Sequence, residues 1–331
     1  MLAAADLPAA ISRAERRIRD WIVETPLLAS PIGPHLKLEN LQHTGSFKAR
    51  GAFSRLLVLS DAERARGVIA ASTGNHGAAV AFAAARLGVA GRIVVPANAD
   101  PGKVEAIRAL GGAVEVHGDD SAVAEAYARR LAEREGLPYI SPYNDPDVVA
   151  GQGTVGIELH GQLPAIEVVF IALGGGGLLA GVAAWLKSVR PAVRVIGCSP
   201  ENSAVMIESV RAGRIVERES KPTLSDGTAG GIEAGAITFE LVRALADEYL
   251  TVTEDEIRGA MRLVHETHGL AVEGAAAVTI AAYLRRAERW RGHATVAILC
   301  GGNVTPTVLR SVLSELSPAE RGGRSPRPGS P

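Results

Sequence analysis

Short runs of apolar, β-branched residues alternate with amphipathic stretches through most of the chain. Residues 67–71, 92–96, 113–116, 167–173 and 193–198 are rich in Val, Ile and Ala and are bounded by Gly, Pro or charged residues, so each predicts a short buried strand. Between them, residues 75–87, 101–110, 121–135 and 177–190 carry Ala, Leu and Tyr at helical spacing and predict helices. Strands separated in this way by helices predict an α/β fold with parallel-rich sheets of βαβ units. A strand ending at Ile140 closes the first series, and the Pro- and Gly-containing stretch 145–153 reads as a connection before the pattern restarts. The restart suggests a small α/β domain of residues 68–144 inserted into a large domain of residues 1–67 and 145–316. Residues 317–331 end in Gly, Ser, Pro and Arg with nothing apolar to bury, and are expected to form a disordered tail.

Composition narrows the function. The 331 residues hold 35 Lys and Arg against 36 Asp and Glu, so the basic footprint of a nucleic-acid binder is missing. Aromatic residues make up 4%, too few to furnish stacking platforms for bases or sugars. Two cysteines, Cys198 and Cys300, make neither a disulfide framework nor a zinc knuckle. The first residues show no basic n-region, and no apolar run approaches the roughly 20 residues that span a bilayer. The expectation is a cytoplasmic metabolic protein that binds neither nucleic acid nor membrane.

Four segments could carry chemistry. In Thr44-Gly45-Ser46-Phe47-Lys48 a lone lysine follows a polar turn at a helix start; nearby helix amides and Arg50 are expected to depress its pKa, as a Schiff-base amine requires. A surface lysine in a first helical turn is the bland alternative. Ser72-Thr73-Gly74-Asn75-His76 runs from a strand into a helix, where N-terminal amides and small polar side chains suit a carboxylate. Simple capping explains one such residue better than a run of four.

Gly174-Gly175-Gly176-Gly177-Leu178 follows a strand and opens a helix, which makes a phosphate cradle. It lacks the Gly-Lys-Ser/Thr of a Walker A loop, but Gly175, Gly177 and Ala180 satisfy a loose dinucleotide pattern with Glu201 as ribose ligand. A nicotinamide dehydrogenase therefore stays open on this segment alone. Cys300-Gly301-Gly302-Asn303 ends a strand where open α/β sheets place ligands, although an inert buried cysteine is the commoner fate. His265 and His268 lack a third metal ligand, and a helix end at Gly269 accounts for His268.

Taken in order, these segments resemble the pyridoxal-phosphate enzymes of fold type II, and among them the serine/threonine dehydratases with their serine racemase relatives. Thr25-Pro26-Leu27, the stretch from Asp145 to Thr154, and Ser225-Asp226-Gly227 agree, so the resemblance runs from about Thr25 to about Thr305. It implies a two-lobe fold similar to the tryptophan synthase β chain. It implies that Lys48 holds pyridoxal phosphate and moves the Cα proton, and that Gly174, Gly175, Gly176, Gly177 and Leu178 bind the phosphate. By the same resemblance Asn75 meets the ring hydroxyl, Cys300 faces the ring nitrogen, and Ser72, Asn75 and His76 receive the substrate carboxylate. The reaction implied is β-elimination from a 3-hydroxy amino acid, L-threonine or L-serine first, to a 2-oxo acid and ammonia. A homodimer is implied as well.

Departures from the family pattern qualify that reading. Metal-activated members carry a Glu and an Asp where this chain has Ser199 and Val205, so no divalent-metal site is expected, with Glu201 one pair out of register. Thr73 stands where racemases place a serine and dehydratases often an alanine, which leaves racemisation as the runner-up activity. Thr228 to Gly235 and Glu273-Gly274 differ from the common threonine enzymes and are expected near the substrate side chain, so larger hydroxy amino acids and hydroxyaspartate stay open. No counterpart of the regulatory domain of biosynthetic threonine dehydratases is found, and feedback by isoleucine is not expected. A non-catalytic amino-acid sensor would have little use for Lys48.

Overall fold

The computed structural model describes residues 4–314, and the expected tail at 317–331 lies outside them. Among the described residues nine strands form two sheets. β1 (Leu27–Leu28), β2 (His35–Lys37), β6 (Val168–Ala172), β7 (Arg194–Pro200), β8 (Glu248–Val252) and β9 (Thr295–Ile298) make a six-stranded sheet in the order β1-β2-β9-β6-β7-β8. β3 (Val68–Ala71), β4 (Gly91–Val95) and β5 (Ala113–Val116) make a three-stranded sheet in sequence order. Every pairing is parallel except β1 with β2. The α/β class expected from the alternating pattern is therefore the observed one.

The most central strands read as unbroken apolar runs because helices cover both faces of the sheet. All five residues of β6 and all four of β9 are buried. The larger core gathers around them, with Phe170 packed edge-on against Tyr283 and Trp290. A second core lies under the three-stranded sheet. It draws Ile18, Ala52, Phe53, Leu56 and Leu59 from outside residues 68–144 to pack on Val68, Val80 and Ile93.

Two expectations need correction. Residues 145–153 are not a connection: they begin a 17-residue helix, Pro146–Gln162. Asp145 caps it by accepting from the amides of Asp147 and Val148, and Pro146 occupies the first turn, where its missing N–H costs nothing. Its glycines are there for contact. A Cβ on Gly151 would sit 2.6 Å from the Arg50 carbonyl, and one on Gly153 2.6 Å from Ile11, so three helices approach closely along this face. The strand expected to end at Ile140 is also absent as an element; Tyr139 makes only an isolated parallel bridge to Ile69.

Deep in the large core lies an ionic cluster. Arg50 donates to both oxygens of Glu39 at 2.8 Å and to both of Glu158 at 2.6 and 2.9 Å. Lys37 donates to Glu158 at 2.6 Å and to the Thr25 carbonyl at 2.6 Å. Arg50, Lys37 and Glu39 are fully buried, and two cations balance two anions. Burial alone would raise the Glu39 pKa, but the Arg50 guanidinium beside it holds it below the ordinary carboxylate range. The cluster ties β2, the helix Lys48–Leu56 and the helix Pro146–Gln162 together.

Candidate active site

Strand ends from both sheets open onto one cavity of about 1220 Å³. The loops after β3, β6 and β9 all reach it, as expected for ligands outside the carboxyl ends of parallel strands. The residues that the resemblance gives to cofactor and substrate, with Thr73, line this space: Lys48, Ser72, Asn75, His76, Gly174 to Gly177, Leu178 and Cys300; Glu201, His265 and His268 do not.

Lys48 opens the helix Lys48–Leu56. The preceding turn carries Thr44 at φ 61°, a left-handed conformation uncommon outside glycine, followed by Gly45 at φ 72°. The turn is stitched to the loop after β9: Phe47 N–H donates to the Cys300 carbonyl at 3.1 Å, and Gly302 N–H to the Gly45 carbonyl at 2.9 Å. These bonds hold the Lys48 and Cys300 segments side by side across 252 residues of chain. Lys48 Nζ donates to the Pro142 carbonyl at 3.0 Å. Burial lowers its pKa to about 8, against the raising influence of the Glu273 carboxylate. The expected help from Arg50 is absent, because that guanidinium is turned into the ionic cluster.

The glycine loop joins β6 to the helix Gly177–Val189. Gly176 has φ 86°, and a Cβ on Gly174 would lie 2.8 Å from the Thr228 carbonyl. One on Gly175 would strike the Tyr143 ring. Side chains are thus kept out on the protein side, and the first amides of the helix, which have no intrahelical acceptor, remain for an anion. Thr238 Oγ1 fixes the loop from behind by donating to the Gly175 carbonyl at 2.7 Å.

At the helix Asn75–Arg86, the Ser72 hydroxyl accepts from Gly74 N–H at 3.1 Å and Thr73 faces the cavity. The His76 ring is occupied: its Nε2 lies 2.8 Å from the Ile140 carbonyl, and since a carbonyl only accepts, that nitrogen carries the proton. Burial, with Lys48 adding to it, lowers the His76 pKa to about 3, so the ring is neutral. Asn75 Nδ2 donates to both oxygens of Glu273 at 2.8 and 3.0 Å, and Asn75 Oδ1 accepts from Asn303 Nδ2 at 2.7 Å. Cys300 is buried, and burial together with the Glu273 charge pushes its thiol pKa well up, which keeps it neutral.

A lysine with a lowered pKa, a cradle of small residues at a helix N-terminus and a neutral thiol at a strand end fit a phosphorylated aldehyde held by its amine. The profile of the family described as pyridoxal-phosphate dependent enzymes matches residues 18–301. The chain belongs to this family. It is 40% identical over 312 residues to the L-threonine ammonia-lyase of Thermotoga maritima, covering 92% of this chain and 77% of that one. It is 39% identical over 311 residues to a catabolic L-threonine dehydratase of Escherichia coli, covering 90% and 94%. Among solved structures, the processed form of threonine deaminase isoform 2 from Solanum lycopersicum superposes with a TM-score of 0.90 at 35% identity, covering 95% of each chain. Maize serine racemase gives 0.86 at 32% identity, covering 92% of this chain and 95% of that one. The fold type II assignment and the pyridoxal phosphate requirement follow from this membership.

Pro142 and Tyr143 had no sequence signal of their own, whereas Thr228 and Glu273 were expected near the substrate side chain and both line the cavity. Pro142 and Tyr143 enter from the segment after Ile140, and Thr228 packs on the glycine loop. The Glu273 carboxyl accepts from Asn75. Gly274 beside it avoids a collision between any Cβ and the Leu224 carbonyl. Of the residues weighed from the sequence for a metal site, Ser199 donates to the Leu173 carbonyl at 2.6 Å, Val205 is buried and Glu201 pairs with Arg285.

Proposed function

We propose that this chain is an ammonia-lyase that removes the elements of water from a 3-hydroxy amino acid, L-threonine first, and releases a 2-oxo acid and ammonia. The observation that carries the reading is Lys48, an amine with pKa about 8 in the same cavity as the glycine cradle and Cys300. The names of the similar proteins, threonine ammonia-lyase, dehydratase and deaminase, support the substrate.

In this reading Lys48 would hold pyridoxal phosphate covalently, the amides of Gly174, Gly175, Gly176, Gly177 and Leu178 would bind its phosphate, Asn75 would meet its ring hydroxyl and Cys300 its ring nitrogen. When bound, it supplies an electron sink for the pair left at Cα. The chain's own groups do the rest. Lys48 Nζ, with its pKa near working pH, takes the Cα proton as general base. The first amides of the helix Asn75–Arg86 and the Ser72 hydroxyl receive the substrate carboxylate. His76 contributes through its backbone N–H, since its ring is bound to Ile140. A neutral Cys300 places no counter-charge on the ring nitrogen. Loss of the β-hydroxyl as water leaves an enamine, which tautomerises and takes up one water to give the oxo acid and ammonia.

Incubation with L-threonine should release 2-oxobutanoate and ammonia in equal amounts. Cofactor-loaded protein that releases neither would overturn the threonine assignment, and L-serine and 3-hydroxyaspartate in the same assay then identify the substrate. Racemisation is the second reading, supported by the Thr73 hydroxyl at the cavity wall. The large lobe of residues 1–67 and 145–316 and the small lobe of 68–144 belong to the same proposal, supported by the separate three-stranded sheet. A homodimer is proposed on the family resemblance alone, and a cytoplasmic location on the composition.

A further inference from the structure

Glu273 precedes the helix Gly274–Arg285, and its carboxyl is buried against Asn75, 198 residues away in sequence. Three side chains form one directed chain of hydrogen bonds. At one end the Thr44 carbonyl, which only accepts, takes a bond from Asn303 Nδ2 at 2.7 Å. That orients the Asn303 amide, whose nitrogen also donates to Asn75 Oδ1 at 2.7 Å. Asn75 must then present its own nitrogen to Glu273, and a carboxylate, which also only accepts, receives it on both oxygens at 2.8 and 3.0 Å. Both ends are acceptors, so the carboxamide of Asn75 has a single satisfied orientation.

Room for the carboxylate is itself specific to this loop. A Cβ on residue 301 would collide with Glu273 Oε1, and Gly301 provides the space. The Gly301 carbonyl accepts from Glu273 N–H at 3.2 Å, which anchors the residue from the loop after β9.

We propose that Glu273 is a positioning residue: its ionised carboxylate, acting with Asn303, holds the Asn75 carboxamide in the orientation that the bound cofactor meets. The inference rests on the reading that Asn75 lies against pyridoxal phosphate. Charge-assisted hydrogen bonds are roughly twice as strong as neutral ones, so protonating Glu273 loosens this hold. Burial raises the Glu273 pKa to about 7, with the Asn75 hydrogen bond opposing. The charged and titratable groups facing it are Asp226, Lys103, Lys48 and the Cys300 thiol. Asp226 adds to the rise, whereas Lys103 and Lys48 oppose it.

The test compares wild type, Glu273→Gln and Asn303→Ala by equilibrium binding of pyridoxal phosphate and by the visible spectrum of the holoenzyme from pH 6 to 9. Wild type should show a spectral transition near pH 7 that Glu273→Gln lacks. Affinity should fall by about tenfold in Glu273→Gln and by a smaller factor in Asn303→Ala, whose exposed side chain makes the change safe for folding. Glu273→Gln or Asn303→Ala with wild-type affinity and a wild-type spectral profile would overturn the inference alone. A Lys48→Ala protein that still attaches the cofactor covalently would overturn the reading of the site on which it rests.

Discussion

At the scale of single residues, the chemistry turns on how burial moves protons. Lys48 is held near pKa 8 by desolvation, so its neutral, nucleophilic form is available far below the ordinary lysine range. Cofactor-free protein should therefore take up pyridoxal phosphate at a rate that rises with pH and is half-maximal near pH 8. A midpoint near the unperturbed 10.5 would place Lys48 in water. Thr73 lines the cavity without belonging to the Glu273 chain of bonds, and Thr73→Ala should leave deamination within about threefold of wild type while abolishing racemisation. Chiral chromatography of serine after incubation, beside an oxo-acid assay, separates the two activities; loss of both would give Thr73 a structural role. Lys48 and Cys300 were legible because each sits in a turn-rich segment at an element boundary. The pairing of Glu273 with Asn75 was not, since it depends on a helix end packing against a residue 198 positions away.

At the scale of elements, the glycine loop and the long helix show two uses of the same residue. Glycines before a helix, at Gly174 to Gly177, announce a cradle, and the structure puts backbone and an aromatic ring where their side chains would be. Gly174→Ala should weaken pyridoxal phosphate binding by tenfold or more, read by equilibrium dialysis, because the 2.8 Å approach to the Thr228 backbone leaves a Cβ nowhere to go. In the helix Pro146–Gln162 the glycines serve packing. Local propensity disfavours them there by about 1 kcal/mol each, which is why residues 145–153 read as a connection. Contact with Arg50, Ile11 and Trp185 overrides that preference, and only the tertiary structure reveals it. Capping by Asp145 was readable in principle, from Asp followed by Pro at a helix start.

Across the whole molecule, two kinds of ion pair act differently. Lys103 and Asp226 meet at 2.9 Å between the helix Pro101–Ala109 and the segment after Ser225, both at the cavity wall, with Lys103 half-buried and Asp226 exposed. Such a pair is worth about 0–1 kcal/mol, so Lys103→Ala should barely move a urea unfolding midpoint. The buried cluster is a different matter. Arg50→Ala leaves Glu39 charged with no access to water and should cost about 3–5 kcal/mol in the same experiment. Equal midpoints for the two variants would mean that the cluster is hydrated. In sequence, Lys37, Glu39, Arg50 and Glu158 look like ordinary surface charges, because nothing local marks a residue for burial. The strands β3 to β7 and β9, by contrast, were legible from apolar runs bounded by turns, whereas β1, β2 and β8 were not anticipated. The convergence of their loops on one cavity followed from parallel topology.

The central claim is that Lys48 holds the cofactor of a threonine-deaminating site. The most direct test is the visible absorption spectrum of purified wild type and Lys48→Ala, recorded before and after L-threonine, with 2-oxobutanoate followed in the same cuvette. Wild type should show a visible cofactor band that shifts on adding threonine as oxo acid appears, and Lys48→Ala should show neither the shift nor the product. A wild-type protein that stays colourless after incubation with pyridoxal phosphate, or a Lys48→Ala protein that still forms oxo acid, would contradict the account.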